Sequence, residues 1–123
     1  KFDTIVAVES RGFILGGMLA SHLGKPLVLI RKSGKLPRKK ISKSYSLEYS
    51  EAICEIHCDS IKRGNRVIIV DDLLATGGTT HAAASLIEQL GGFVEGVYFL
   101  IELTSLNGRK KLSPFHVNSI IKY

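Results

Sequence analysis

The sequence predicts an α/β domain in three layers, a mainly parallel sheet flanked by helices. Two observations predict it. Val67, Ile68, Ile69 and Val70 run without polar alternation, the pattern of a strand covered on both faces. The chain then passes through two acids and paired glycines into a helical pattern from His81, and the same order of strand, loop and helix occupies residues 4–23. Strands alternating with helices in this way build parallel sheets with helices on each side.

In chain order, residues 4–8 read as the first buried strand, followed by Glu9, Ser10, Arg11 and Gly12. Residues 13–23 are apolar or small almost all round, which predicts a buried, closely packed helix ending at Gly24. Residues 27–30 form the next strand and deliver Arg31, Lys32 and Lys35 to a loop. Residues 36–43 show no hydrophobic period and read as a mobile connection. Residues 43–49 and 53–58 alternate weakly and form an antiparallel hairpin. Between them lie Leu47, Glu48, Tyr49 and Ser50, a composition that suits a lid over a site and equally a plain surface hairpin. A helix over 81–90 has Ala83, Leu86, Ile87 and Leu90 on one face and stops at Gly91-Gly92. Residues 93–103 give another apolar strand, 107–112 a polar turn or short helix, and 117–121 a last strand.

With 123 residues and 45% apolar content, residues 1–123 are expected to form one domain with a core that needs no staples. Mean hydropathy is +0.16, no apolar run reaches the length of a membrane span and no signal peptide is visible. Lys1 stands where an initiator Met is expected, so a preceding segment is anticipated. The net charge of +6 calls for an anionic partner. Nucleic acid meets that on charge alone, yet no stacking aromatic series, zinc finger or helix-turn-helix accompanies it. A polyphosphate substrate uses the same charge. Cys54 and Cys58 flank His57, but strand alternation sends the thiols to one face and the imidazole to the other, which disfavours a shared ion. They read as structural thiols of a reducing, cytoplasmic setting.

The chemistry-bearing stretch is Val70-Asp71-Asp72-Leu73-Leu74-Ala75-Thr76-Gly77-Gly78-Thr79. Ligands of parallel sheets bind at the carboxyl ends of strands, where Asp71 and Asp72 sit. Two adjacent carboxylates repel unless sugar hydroxyls, a cation or both satisfy them. Gly77 and Gly78 leave room for backbone N–H groups from Ala75 to Thr79 to turn inward, and the following helix adds its positive end. The same residues also read as a strand end, a tight turn and a threonine N-cap. No Lys follows the glycines as in a Walker A loop. Ser10 and Arg11 occupy a second sheet-end loop, where they suit a phosphate or serve as a helix cap and a surface charge.

The stretch resembles the phosphoribosyl diphosphate (PRPP) signature of type I phosphoribosyltransferases, in the variant of the adenine branch. Val8-Glu9-Ser10-Arg11-Gly12-Phe13, Ile30-Arg31-Lys32-Ser33-Gly34-Lys35-Leu36-Pro37, Tyr45-Ser46-Leu47-Glu48-Tyr49 and Glu102-Leu103-Thr104-Ser105-Leu106 resemble further family segments, in the family's order. The resemblance implies conversion of adenine and PRPP to AMP and diphosphate, with Mg²⁺ and a homodimer. It implies 5′-phosphate binding by Ala75, Thr76, Gly77, Gly78 and Thr79, ribose binding by Asp71 and Asp72, and diphosphate binding by Ser10, Arg11, Arg31, Lys32 and Lys35. Leu73 would lie near the base, and Glu48 would handle the purine proton. Mg²⁺ would be held mainly through PRPP, with Asp71 or Asp72. Ser50 and Arg38-Lys39 depart from the family's glycines and prolines and make the lid more basic. The family's segment forming a hood over the base precedes the part matched here. A non-enzymatic PRPP-sensing domain, or a transferase for another purine, is the alternative.

Overall fold

Strands β1 (Thr4–Val8), β2 (Leu27–Lys32), β5 (Arg66–Leu74), β6 (Phe93–Glu102) and β7 (Val117–Lys122) run parallel, while β3 (Lys40–Ser46) and β4 (Glu51–His57) form an antiparallel hairpin at one edge. The computed structural model describes residues 1–47 and 49–123. Together the described strands make a seven-stranded sheet in the order β3-β4-β2-β1-β5-β6-β7.

Alternation along the strands distributes the core. Val6, Val8, Val67, Ile69 and Val97 pack with Ala83, Leu86 and Ile87 of helix α2 (Gly78–Gln89), whereas Ile5, Ile68 and Val70 pack with Ala20 of helix α1 (Gly12–Leu23). Opposite faces of β1 and β5 are thus covered by different helices, which is the expected three-layer arrangement. A short 3-10 turn (Thr104–Leu106) and helix α3 (Gly108–Lys111) connect β6 to β7.

Helix α1 departs from the sequence expectation of burial all round. It buries the stripe Gly12, Gly16 and Ala20, and Gly16 lets it lie close on β1, since a Cβ there would come within 2.6 Å of the Ala7 Cβ. Ile14 and Met18 on its outer side are 70% and 66% exposed, because among the described residues this face of the sheet carries a single helical layer. A broad depression runs along that outer side, lined by Ile14, Gly17, Met18 and His22. It offers no carboxylate or permanent cation.

Two strands outrun their apolar cores. Strand β2 continues beyond Ile30 because Arg31 and Lys32 pair antiparallel with Glu55 and Cys54 of β4. The hairpin is therefore stitched into the sheet, and the stretch expected to be a mobile connection already contains β3 from Lys40. Strand β5 continues to Leu74 because β6 pairs with it as far as Glu102, while β1 stops opposite Val70. Beyond Val70 the strand has a neighbour on one side only, and its free side faces the loop that follows β1. No helix among the described residues is long and apolar enough to cross a membrane.

Candidate active site

The acid pair lies in that one-sided part of β5. The Asp72 N–H donates to the Asp71 carboxylate at 2.8 Å. Gly12 makes room for the latter: a Cβ at Gly12 would fall 2.8 Å from the Asp71 Oδ1 and 3.2 Å from the Val70 carbonyl oxygen. Burial first, then the neighbouring Asp72 carboxylate, push Asp71 up to about 7, against the N–H bond and Arg11, which act to lower it. The Arg11 guanidinium donates to Asp72 rather than to Asp71.

The loop after β1 is organised by Glu9, which the sequence reading did not single out. Its Oε1 accepts the Lys32 N–H at 2.9 Å and the Arg31 Nε at 3.2 Å. Burial acts to raise its pKa, but the Lys32 N–H, the Arg31 guanidinium and the Lys35 charge outweigh that and hold it below the ordinary glutamate value. Arg31 is thereby turned away, with its guanidinium 5.8 Å from the Phe13 ring. The Glu9–Ser10 peptide is cis.

On the other side of the acids, β5 ends and Gly77 takes φ +90° as the residue before α2, a conformation that favours glycine. Helix α2 starts at Gly78, three residues earlier than the sequence pattern indicates, so Thr79 and Thr80 belong to its first turn. Gly77 has no side chain to cap this end, and the Thr76 hydroxyl accepts the Gly78 N–H only at a long 3.5 Å. The N–H groups that follow in the first turn remain available to a ligand, with the helix dipole behind them. The hairpin closes over this end, since the Ser46 carbonyl oxygen and Tyr45 ring lie 3.6 and 3.8 Å from where a Gly78 Cβ would be.

These parts enclose a cavity of about 480 Å³. Ser10 and Arg11 from the loop after β1, Lys32 from the end of β2, Asp71, Asp72 and Leu73 from β5, and Ala75 and Thr79 beyond it all line this cavity. A smaller cavity of about 80 Å³ adjoins it, formed by the loop itself and including Thr76, Gly77 and Gly78. Arg31 and Lys35 line neither; one is held by Glu9 and the other contributes charge from the turn. Glu48 lies outside the described residues. Glu9, Tyr45 and Ala52 line the larger cavity without having been expected there. Glu9 carried one signal, its position directly after a buried strand; the other two depend on how the hairpin folds back.

Cys54 is buried, which pushes its thiol up to about 11. Cys58 is half-buried beyond the end of β4, and the His57 Nε2 accepts the Arg38 N–H at 3.3 Å.

A family model described as the phosphoribosyl transferase domain matches residues 1–115. The chain belongs to the phosphoribosyltransferase family. Among phosphoribosyltransferases, an adenine phosphoribosyltransferase of Acetivibrio thermocellus is 58% identical over all 123 residues, which span 72% of its length. The crystal structure of the adenine phosphoribosyltransferase of Thermoanaerobacter pseudethanolicus superimposes with a TM-score of 0.98 at 54% identity, over 100% of this chain and 72% of that one. The Saccharomyces cerevisiae enzyme, solved with an imino-altritol bisphosphate and adenine, superimposes with a TM-score of 0.92 at 45% identity, covering 95% of this chain and 66% of that one.

Proposed function

We propose that this phosphoribosyltransferase transfers the 5-phosphoribosyl group of PRPP to adenine, giving AMP and diphosphate. One observation carries the reading: two adjoining cavities that share Asp71, Leu73, Ala75 and Thr79 bring together the cationic Arg11 and Lys32, the acid pair and the N-terminal turn of α2. That set of groups suits a ribose carrying a diphosphate and a phosphate. The adenine-specific names of its relatives support the choice of base.

In the proposed complex, Ala75, Thr76, Gly77, Gly78 and Thr79 hold the 5′-phosphate through backbone N–H groups and hydroxyls. Asp71 and Asp72 take the ribose hydroxyls. Ser10, Arg11 and Lys32 meet the diphosphate, with Arg31 and Lys35 adding charge from behind. The C1′–oxygen bond breaks, diphosphate departs with its electron pair, and N9 of adenine bonds to C1′ and loses its proton. Positive charge developing at C1′ is sheltered near the acids, while the leaving anion is met by cations. Leu73 offers an apolar contact to the base. Glu48 takes the proton role that the family resemblance implies, and an unchanged turnover number in Glu48→Gln would remove it from that role.

Mg²⁺ fits the donor set. Asp71 and Asp72 provide hard carboxylate oxygens, and no group of three acidic, His or Cys side chains among the described residues forms a cage by itself. This suits an ion bound by one or two carboxylates plus substrate oxygens. Bound there, it supplies Lewis-acid neutralisation of diphosphate charge. A homodimer in the cytoplasm, with residues 1–123 as the catalytic core, completes the proposal.

The test is diphosphate release by the full-length protein with PRPP, Mg²⁺ and adenine, guanine, hypoxanthine or orotate in parallel. Adenine is expected to give the highest kcat/KM. Turnover with none of them, despite tight PRPP binding, would instead indicate a PRPP sensor, and preference for another base would overturn the adenine assignment.

A further inference from the structure

Outside the cavity, the end of β6 carries an ionic cluster around a buried carboxylate that the proposed mechanism does not use. Glu102 is 4% exposed and accepts three bonds from the Arg109 guanidinium at 2.9 to 3.1 Å, plus the Ser119 hydroxyl at 2.6 Å. Arg109 also donates to the Val117 carbonyl oxygen at 2.8 Å. The cluster therefore joins β6, α3 and β7 at one point.

Gly108, directly before Arg109, lies against the phosphate loop. A Cβ on Gly108 would fall 2.5 Å from the Ala75 carbonyl oxygen and 2.7 Å from the Leu74 Cδ1. Reciprocally, a Cβ on Gly77 would fall 2.9 Å from the Gly108 carbonyl oxygen. Backbone thus rests on backbone at two points of the loop. Helix α3 has four residues, too few to hold its own place by helical hydrogen bonds. What fixes it is the buried Leu112 and the Arg109 fork, whose planar geometry resists rotation.

We infer that Glu102 and Arg109 are positioning residues for the 5′-phosphate loop, acting through Gly108 on Ala75 and Gly77. This rests on the reading of that loop as the phosphate site. The hydrogen bonds from Arg109 are the foremost cause holding Glu102 below the ordinary glutamate value; burial opposes them, and Ser119 adds to them. The fork is accordingly ionic at neutral pH. Loosening it frees α3 to shift, and displacements of the order of 1 Å in a binding constellation have large effects on binding and rate.

The experiment compares Glu102→Gln and Arg109→Lys with wild type in the full-length protein, measuring KM for PRPP, KM for adenine, kcat and calorimetric binding of ribose 5-phosphate. Ile61→Ala, a buried change at the far end of β5, serves as a control of comparable destabilisation. Both cluster variants are expected to raise the PRPP KM about tenfold and to weaken ribose 5-phosphate in parallel, with the adenine KM unchanged and the control unaffected in all three. An unaltered PRPP KM and ribose 5-phosphate affinity, with only the melting temperature lowered, would overturn the inference and leave the function intact. Wild type that binds ribose 5-phosphate but does not turn over would overturn the transferase reading, and the variants' affinities would still decide the positioning role. Wild type that binds none would overturn both. If Glu102→Gln does not fold, Ser119→Ala, which removes one bond to the same carboxylate, carries the test.

Discussion

Arg11 and Asp72 are bonded to each other across 61 positions of chain, so a residue proposed for the diphosphate and one proposed for the ribose reach the cavity as a pair. Substrate must separate or share them. Asp72→Asn leaves Arg11 without its anion and removes a ribose acceptor, so kcat/KM for PRPP is expected to fall about tenfold to a hundredfold. The pair is exposed on the Arg11 side, so the melting temperature should move by the equivalent of about 1 kcal/mol or less. Steady-state kinetics and a thermal melt check both, and wild-type kinetics would displace Asp72 from the ribose.

Glu9 ties the loop after β1 to the basic end of β2. In Glu9→Gln the Lys32 N–H keeps an acceptor, whereas Arg31 loses its counter-ion and swings free. A loss of about 1–3 kcal/mol of stability at pH 7 is expected. Because the Glu9 pKa is held down in the folded protein, its contribution is present above the ordinary glutamate value and disappears as pH falls through the folded one. Wild type and variant should therefore converge in stability under acid, which urea titrations at pH 7 and below pH 4 can read.

Asp71 has the opposite sign. Its folded pKa is raised to about 7, so the folded state binds a proton that the unfolded state releases, and stability falls as pH rises from the ordinary aspartate value to about 7. Asp71→Asn keeps the acceptor for the Asp72 N–H and removes the charge. It is expected to raise the melting temperature more at pH 8 than at pH 5, while lowering kcat/KM about tenfold or more. A melting series across that range would show a constant difference if Asp71 were an ordinary carboxylate.

The two thiols should differ in reactivity. With its thiol pushed up to about 11, Cys54 offers little thiolate at pH 8, and burial bars reagents. Iodoacetamide is expected to modify Cys58 first, and Cys54 more slowly by about a hundredfold. Peptide mass spectrometry over time gives both rates.

The parallel core was legible because Val67 to Val70 is apolar on both faces, and that pattern has few other homes. The continuation of β5 to Leu74 was not, because two carboxylates interrupt the run and the pairing that extends it belongs to β6. The outer side of α1 shows the converse: an apolar sequence records that burial is available, not whether another layer is there to provide it. At the site, loop positions followed from strand ends, which is why Ser10, Arg11, Lys32 and the acids met as expected. Arg31 looked equivalent to Lys32 in the sequence. Alternation along β2 and the carboxylate of Glu9, 22 positions away, separate them, and neither partner nor direction is written locally.

Strand β4 carries a second consequence, for how the hairpin finds its alignment. The β3 sequence Lys-Ile-Ser-Lys-Ser-Tyr-Ser is polar enough to pair acceptably in several ways. Glu55 removes that freedom: in the observed alignment it lies inside, between the Gly34 N–H at 3.1 Å and the Ser42 hydroxyl at 2.9 Å, while Cys54 and Ile56 enter the apolar core. A slip of β4 by one position would drive that carboxylate among aliphatic side chains with no donor, at a cost of several kcal/mol. One buried acid thus acts as a register check on the strand pair that carries Tyr45 and Leu47 to the cavity.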